Sequence, residues 1–154
     1  MPNFSEKSKE RLSTCHPELQ RLMNEVIKEY DFSIICGYRN EEDQNIAYKN
    51  GKSKLQYPNS NHNTIPTLAV DIAPYIPQRE DKNAWKDARY FHILSGFVLC
   101  TANRLGIKIR WGGDWNSNFY LEDQDFNDLP HFELKDAVVA ASDTDVSQNT
   151  PPNA

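Results

Sequence analysis

Four histidines occur in this chain, and two of them stand near carboxylates in ways that suggest chemistry. His62 lies in a polar segment nine residues before Asp71, and His131 opens a short run that also contains Glu133. Imidazole nitrogen and carboxylate oxygen are the donors zinc takes where cysteine is absent, and a catalytic zinc site needs three protein ligands and one open position. Asp71 is enclosed by Val70 and Ile72. A lone buried carboxylate there is costly, so it needs a partner or a metal. Spacing alone leaves other readings open: His62 as a solvated loop histidine, Asp71 as the partner of an arginine or a backbone amide, and His131, following Pro130, as a packing residue.

The elements that must position these residues can be read from periodicity. Leu19, Leu22, Met23, Val26, Ile27 and Tyr30 repeat at helical spacing, with Pro17 suited to a first turn, predicting a helix over 17–30. Residues 32–36 form an apolar run of strand length, broken by Gly37-Tyr38-Arg39. Asn40 can cap a short helix through Tyr48, stopped at Asn50-Gly51. Residues 52–67, rich in proline, asparagine and serine, read as a loop. Residues 68–73 read as a buried strand ending at Pro74. A long helix is expected over 84–105, closed by Gly106, with Ala88, Phe91, Ser95, Val98, Leu99, Ala102 and Leu105 inward. Ile107, Ile109 and Trp111 alternate with Lys108 and Arg110 as a strand does, and Gly112-Gly113 makes a turn. Residues 131–134 form a last strand, with His131 and Glu133 on one face and Phe132 and Leu134 on the other. Helices and short strands that do not alternate regularly imply an α+β fold, a small single domain over 1–136. The small, polar stretch 137–154 is expected to be a disordered tail.

The composition excludes several classes. A net charge of −5 with no basic cluster argues against nucleic acid. No apolar run reaches the roughly 20 residues of a membrane span. Cys15, Cys36 and Cys100 are far apart and odd in number, which argues against a disulfide framework and a cysteine zinc finger; they read as small buried hydrophobes. Residues 1–14 have no apolar stretch of signal-peptide type.

Ser60-Asn61-His62, Ala69-Val70-Asp71-Ile72-Ala73-Pro74-Tyr75 and Asp128-Leu129-Pro130-His131-Phe132-Glu133-Leu134 follow one another in order. Gly37-Tyr38-Arg39 with Gln44, Tyr48 and Gly51-Lys52-Ser53 precedes or flanks them, as does Trp111-Gly112-Gly113-Asp114-Trp115. Together they resemble the D-Ala-D-Ala carboxypeptidase (VanY-like) zinc peptidases, and most closely the phage endolysins that are L-alanyl-D-glutamate peptidases. The resemblance runs from about Cys15 to Leu134. It implies a short antiparallel sheet flanked by helices, as in the hedgehog and DD-peptidase domains. It implies zinc ligands His62, Asp71 and His131, an acid/base Asp128, and an Arg39 that binds or polarises substrate. In the related dipeptidases the base is a glutamate where this chain has Asp128, and the gap from His62 to Asp71 is longer here, as in the endolysin subgroup.

Two imidazoles and one carboxylate leave a zinc site positive, which acidifies a bound water and polarises a carbonyl. Asp128 would move the proton, and Arg39 would steady an oxyanion or grip a carboxylate. Read without the resemblance, Arg39 pairs with Glu41, Glu42 or a distant acid. Ser60 either bonds substrate or orients its loop. Glu133 either supports His131 or forms a surface pair. Trp111, Asp114 and Trp115 either line a cleft or form a turn with packed indoles. His16 reads as a cap or packing residue, His92 as a core or edge histidine. Glu122, Asp123 and Asp125 read as a solvated acidic loop rather than a calcium site. The function expected is a peptidoglycan endopeptidase cutting L-Ala–D-Glu in the stem peptide, acting as a monomer, made in the host cytoplasm and reaching the wall after release. The alternatives are a D-Ala-D-Ala carboxypeptidase and a zinc-bearing binding module without turnover.

Overall fold

The structure is a computed structural model that describes residues 2–136 of the chain; the expected tail, 137–154, lies outside the described residues. The order of elements is α1 (Glu6–Leu12), α2 (Pro17–Val26), β1 (Phe32–Cys36), α3 (Glu41–Lys49), β2 (Ala69–Pro74), α4 (Ala88–Leu105), β3 (Ile109–Trp111), a 3-10 turn (Leu121–Asp123) and β4 (His131–Leu134). This is the expected α+β class, with one antiparallel sheet in the order β1-β2-β4-β3. No helix among the described residues is long and apolar enough to cross a membrane.

The caps explain where the helices start. The His16 ring accepts from the Glu18 N–H at 3.1 Å and Pro17 supplies the first turn of α2, a cap worth about 1 kcal/mol. This helix ends at Val26 rather than at residue 30. From there the chain tightens into turns, Lys28 N–H bonding Glu25 O and Glu29 N–H bonding Val26 O. Tyr30 still reaches the core side, stacked on Phe97 at 5.1 Å. Helix α4 begins at Ala88, not at residue 84, because Asp87 caps it and Ala84 sits buried at φ 51°, a left-handed conformation that a helix cannot contain. Gly106 closes it at φ 73° as expected. Ala88, placed inward by the periodicity, is exposed, while Leu94 and Thr101 are buried instead.

Helix α1 has no counterpart in the sequence reading. Its segment carries almost no apolar stripe, and it is fastened by hydrogen bonds to the sheet's edge. The Ile34 N–H donates to Ser8 Oγ at 3.1 Å, and Arg11 donates to Ile34 O at 3.0 Å. Capping the edge of β1 this way uses polar residues where a helix packed on a core would need leucines.

The sheet has two unlike faces. Phe32, Ile34, Val70, Ile72, Ile109, Trp111, Phe132 and Leu134 point into the core, against Leu19, Leu22 and Met23 of α2 and Leu94, Val98 and Ala102 of α4. The alternation of a strand then sends Asp71, Arg110, His131 and Glu133 to the opposite face. The expected cysteine burial holds for Cys15 only: Cys36 is partly buried beside this second face and Cys100 is exposed, all three as free thiols.

Candidate metal centre

Strand register does the first part of the assembly. Asp71 lies directly across from His131, and Arg110 across from Glu133. Cross-strand neighbours of this kind have side chains within about 5 Å. The second part is the return of the 52–67 loop. The Leu68 N–H bonds Asn61 O at 3.0 Å, the Arg39 N–H bonds His62 O at 2.8 Å, and the Asn63 amide bonds Arg39 O at 2.9 Å. These bonds lock the His62 backbone beside the end of β1. Ser60 is buried, and its hydroxyl accepts the His62 N–H at 3.2 Å. Of its two expected roles, this is the geometry of loop orientation.

Three donor atoms converge. Asp71 Oδ1 is 3.1 Å from His62 Nε2 and 3.1 Å from His131 Nδ1, and those two nitrogens are 3.3 Å apart. The far side of each ring is already engaged. His62 Nδ1 is 2.7 Å from Gly37 O, and His131 Nε2 is 2.7 Å from Glu133 Oε1. An oxygen acceptor at each far nitrogen draws the ring proton there and leaves the near nitrogen with its lone pair toward Asp71. Three electron-rich atoms facing one point in a buried site require a cation between them. Protons can serve: burial disfavours charge on His131, yet its bonds to Asp71 and Glu133 push it up to about 9. Burial acts against His62 as well, and the Asp71 charge overrides it, leaving it well above the ordinary range. Asp71 is itself held well below the carboxylate range, where the two histidines outweigh its burial. A divalent metal ion satisfies the same three donors without protons, so the donor set fits one.

Two residues widen the set. Asp128 has a carboxylate oxygen within 4.8 Å of the donor atoms of Asp71 and His131. Its Oδ2 is buried with no hydrogen-bond partner among the described residues. Burial, then the charge of Asp71, pushes this carboxyl up to about 6. Its backbone is fixed by a 2.7 Å bond from its N–H to Gly112 O and a 3.1 Å bond from the His131 N–H to its own carbonyl. Gly112 is required there, because a Cβ would come within 2.1 Å of Asp128 O. Cys36, absent from the sequence reading of this site, has its Sγ 3.9 Å from His62 Nδ1. That nitrogen is bonded to Gly37, but Cys36, His62 and Asp71 each offer a donor atom within 4.8 Å of the others, so the thiol belongs to a second donor set around the same carboxylate.

Arg39 reaches the centre, but as a neighbour of a donor. Its guanidinium donates to Asp71 Oδ2 at 3.3 Å and to Gln44 Oε1 at 3.0 Å, with Gln44 fully buried. The partner is a distant acid rather than Glu41 or Glu42. Glu133 is buried and takes hydrogen bonds from Arg110 at 2.6 Å and Asn61 at 3.1 Å besides facing His131, so it is no surface pair. The sequence reading gave neither Arg110 nor Asn61 a role in the site. The alternation of β3 does signal that Arg110 lies off the core face, but its partner emerges only once β3 is known to pair with β4. Trp115 packs on the His131 ring at 5.5 Å, while Trp111 lies in the core and ties down Leu129 O at 2.8 Å. Asp114 is buried and accepts from the Asn118 and Phe119 N–H groups as a turn residue. His16 and His92 lie elsewhere, the first as a helix cap and the second exposed on α4.

The chain has relatives of known type. A family model described as phage L-alanyl-D-glutamate peptidase matches residues 2–135. The L-alanyl-D-glutamate peptidase of Escherichia phage T5 is 35% identical over 125 residues, 79% of this chain and 87% of that protein. Among solved structures, the Serratia marcescens L-Ala D-Glu endopeptidase ChiX matches with a TM-score of 0.65 at 25% identity, over 86% of this chain and 90% of that one.

Proposed function

Because the chain belongs to the phage L-alanyl-D-glutamate peptidase family, we propose that it is a zinc-dependent endolysin that hydrolyses the L-Ala–D-Glu bond of peptidoglycan stem peptides. The observation that carries this reading is the meeting of His62 Nε2, His131 Nδ1 and Asp71 Oδ1 at 3.1–3.3 Å beside the unpartnered oxygen of Asp128. His62, Asp71 and His131 would hold the zinc, in the two-imidazole, one-carboxylate pattern of catalytic sites that keep a fourth position open. Zinc bound in such a set polarises a carbonyl and brings the pKa of water to roughly 7.

The chain's own residues do the rest. Asp128 accepts the proton of the attacking water and returns it to the nitrogen of the departing amine. Its freedom from other partners suits that role, since a carboxylate bonded elsewhere would have to break a bond first. Arg39 holds the orientation of Asp71 through a hydrogen bond to its other oxygen. Glu133 and the Gly37 carbonyl hold the two imidazoles in the tautomers that face the centre. The catalytic unit is residues 1–136, acting as a monomer at the cell wall. A carboxypeptidase would need a cation to close the cleft over a terminal carboxylate. Arg39, the residue available for that task in the sequence, is engaged by Asp71 and Gln44.

Purified peptidoglycan digested by the protein and read by mass spectrometry tests the proposal. The expected products carry a new N-terminal D-Glu and leave L-Ala on muramic acid. Release of D-Ala alone would replace the reading with a carboxypeptidase, and zinc binding without any hydrolysis would replace it with a binding module.

The support given by Glu133 has a measurable size. Glu133→Gln keeps an oxygen for His131 but removes the charge that faces Arg110. Partners of this kind are typically worth 10- to 100-fold in metal affinity. Competition against a chelator should show zinc affinity reduced by about tenfold or more. Unchanged affinity would show that the His131 ring needs no help from Glu133.

A further inference from the structure

A cleft of about 350 Å³ opens beside the metal centre, lined by Trp85, Lys86, Phe91, Asn127, Asp128 and Leu129 among others. Its volume falls within the range of small-molecule sites. Asp128 belongs to both the centre and the cleft. Trp85 is half exposed and lies against Phe91 at 5.5 Å, so one wall is flat and apolar. Lys86 is the one cation in the lining. Its backbone N–H bonds Asp81 at 3.4 Å, but its ammonium has no partner among the described residues. The nearby Arg79 and Arg89 are paired with Asp87, at 3.6 and 2.8 Å.

We propose that this cleft receives the residue on the leaving-amine side of the scissile bond and that Lys86 binds the free carboxylate of that residue, making Lys86 a specificity determinant. The inference rests on the endopeptidase reading above. Asp128 returns its proton to the departing nitrogen, so the chain attached to that nitrogen must pass Asp128, and the cleft is the space that Asp128 borders. In the stem peptide that residue is D-Glu, joined onward through its side chain and therefore carrying an unblocked α-carboxylate. An anionic residue entering between an apolar wall and the carboxylate of Asp128 needs a cation free to meet it. Arg39 is held by Asp71 and Gln44, and within the lining of this cleft the cation is Lys86.

The test uses the zinc-loaded enzyme and two soluble muropeptides that differ at one group, one with D-Glu and one with D-isoglutamine, whose α-carboxylate is an amide. The wild type should favour the acid by about tenfold in kcat/KM, chiefly through KM, the low end for a charge-assisted hydrogen bond. Lys86→Ala should erase that preference by weakening the acid substrate alone, and Lys86→Arg should retain it. Trp85→Ala should raise KM for both substrates equally, since a flat wall does not read charge. If the wild type cuts L-Ala–D-Glu but Lys86→Ala keeps the same preference, or if no preference exists, the role of Lys86 is overturned and the endopeptidase reading stands. If neither muropeptide is cut at that bond, both fall together.

Discussion

Asp71→Ala should purify without zinc and without measurable hydrolysis. Asp71 Oδ1 is the point on which both imidazoles converge, 3.1 Å from each. Removing it leaves two nitrogens 3.3 Å apart and takes from the guanidinium of Arg39 its acid partner, so an unneutralised positive group borders the place a metal would take. Metal ions supply several kcal/mol of transition-state stabilisation. At about 1.4 kcal/mol per decade, their loss lowers the rate by about 10³-fold or more. The wild type should carry one zinc per chain by elemental analysis, and His62→Ala and His131→Ala should lose it as Asp71→Ala does. His16→Ala supplies the contrast. It deletes the cap of α2 and should lower the melting temperature while zinc content stays whole. Full zinc occupancy in the Asp71, His62 and His131 variants would remove the assignment.

Asp128→Asn should give the opposite dissociation: metal retained, fold retained, chemistry lost. The variant keeps the backbone bonds to Gly112 and His131 and the size of the side chain. It cannot accept a proton from water. General acid–base groups contribute typically 10² to 10⁴-fold, so the rate should fall by at least about 10²-fold. Zinc content and the far-ultraviolet dichroism should match the wild type. A variant that turns over at near-normal rate would take Asp128 out of the mechanism, and one that loses its zinc would make Asp128 a fourth ligand.

The periodicity of 17–30, the alternation of 131–134 and the Gly106 stop are local signals; the structure keeps the first as far as Val26 in α2 and repeats the others as β4 and the end of α4. The scarcity of histidine did the same for the site: with four in the chain, two of them near carboxylates, the candidates were few. Helix α1 escaped because its fastening to Ile34 is made of hydrogen bonds between segments more than twenty residues apart, which leave no periodic trace.

By itself the sequence determined which side chains share a strand face, since alternation along a strand is a property of the chain: His131 with Glu133, and Asp71 apart from Val70 and Ile72. The tertiary structure alone decided what those faces meet. Register set Asp71 opposite His131 and Arg110 opposite Glu133, and the returning loop brought His62 to the same oxygen from nine residues upstream. It also chose Asp71 as the distant acid that Arg39 pairs with, and set Lys86 beside the cleft. Pairing between strands is chosen by the packing of the whole sheet on α2 and α4. A one-residue slip would send each of these side chains to the core face, so the site exists only where that packing has selected a single register.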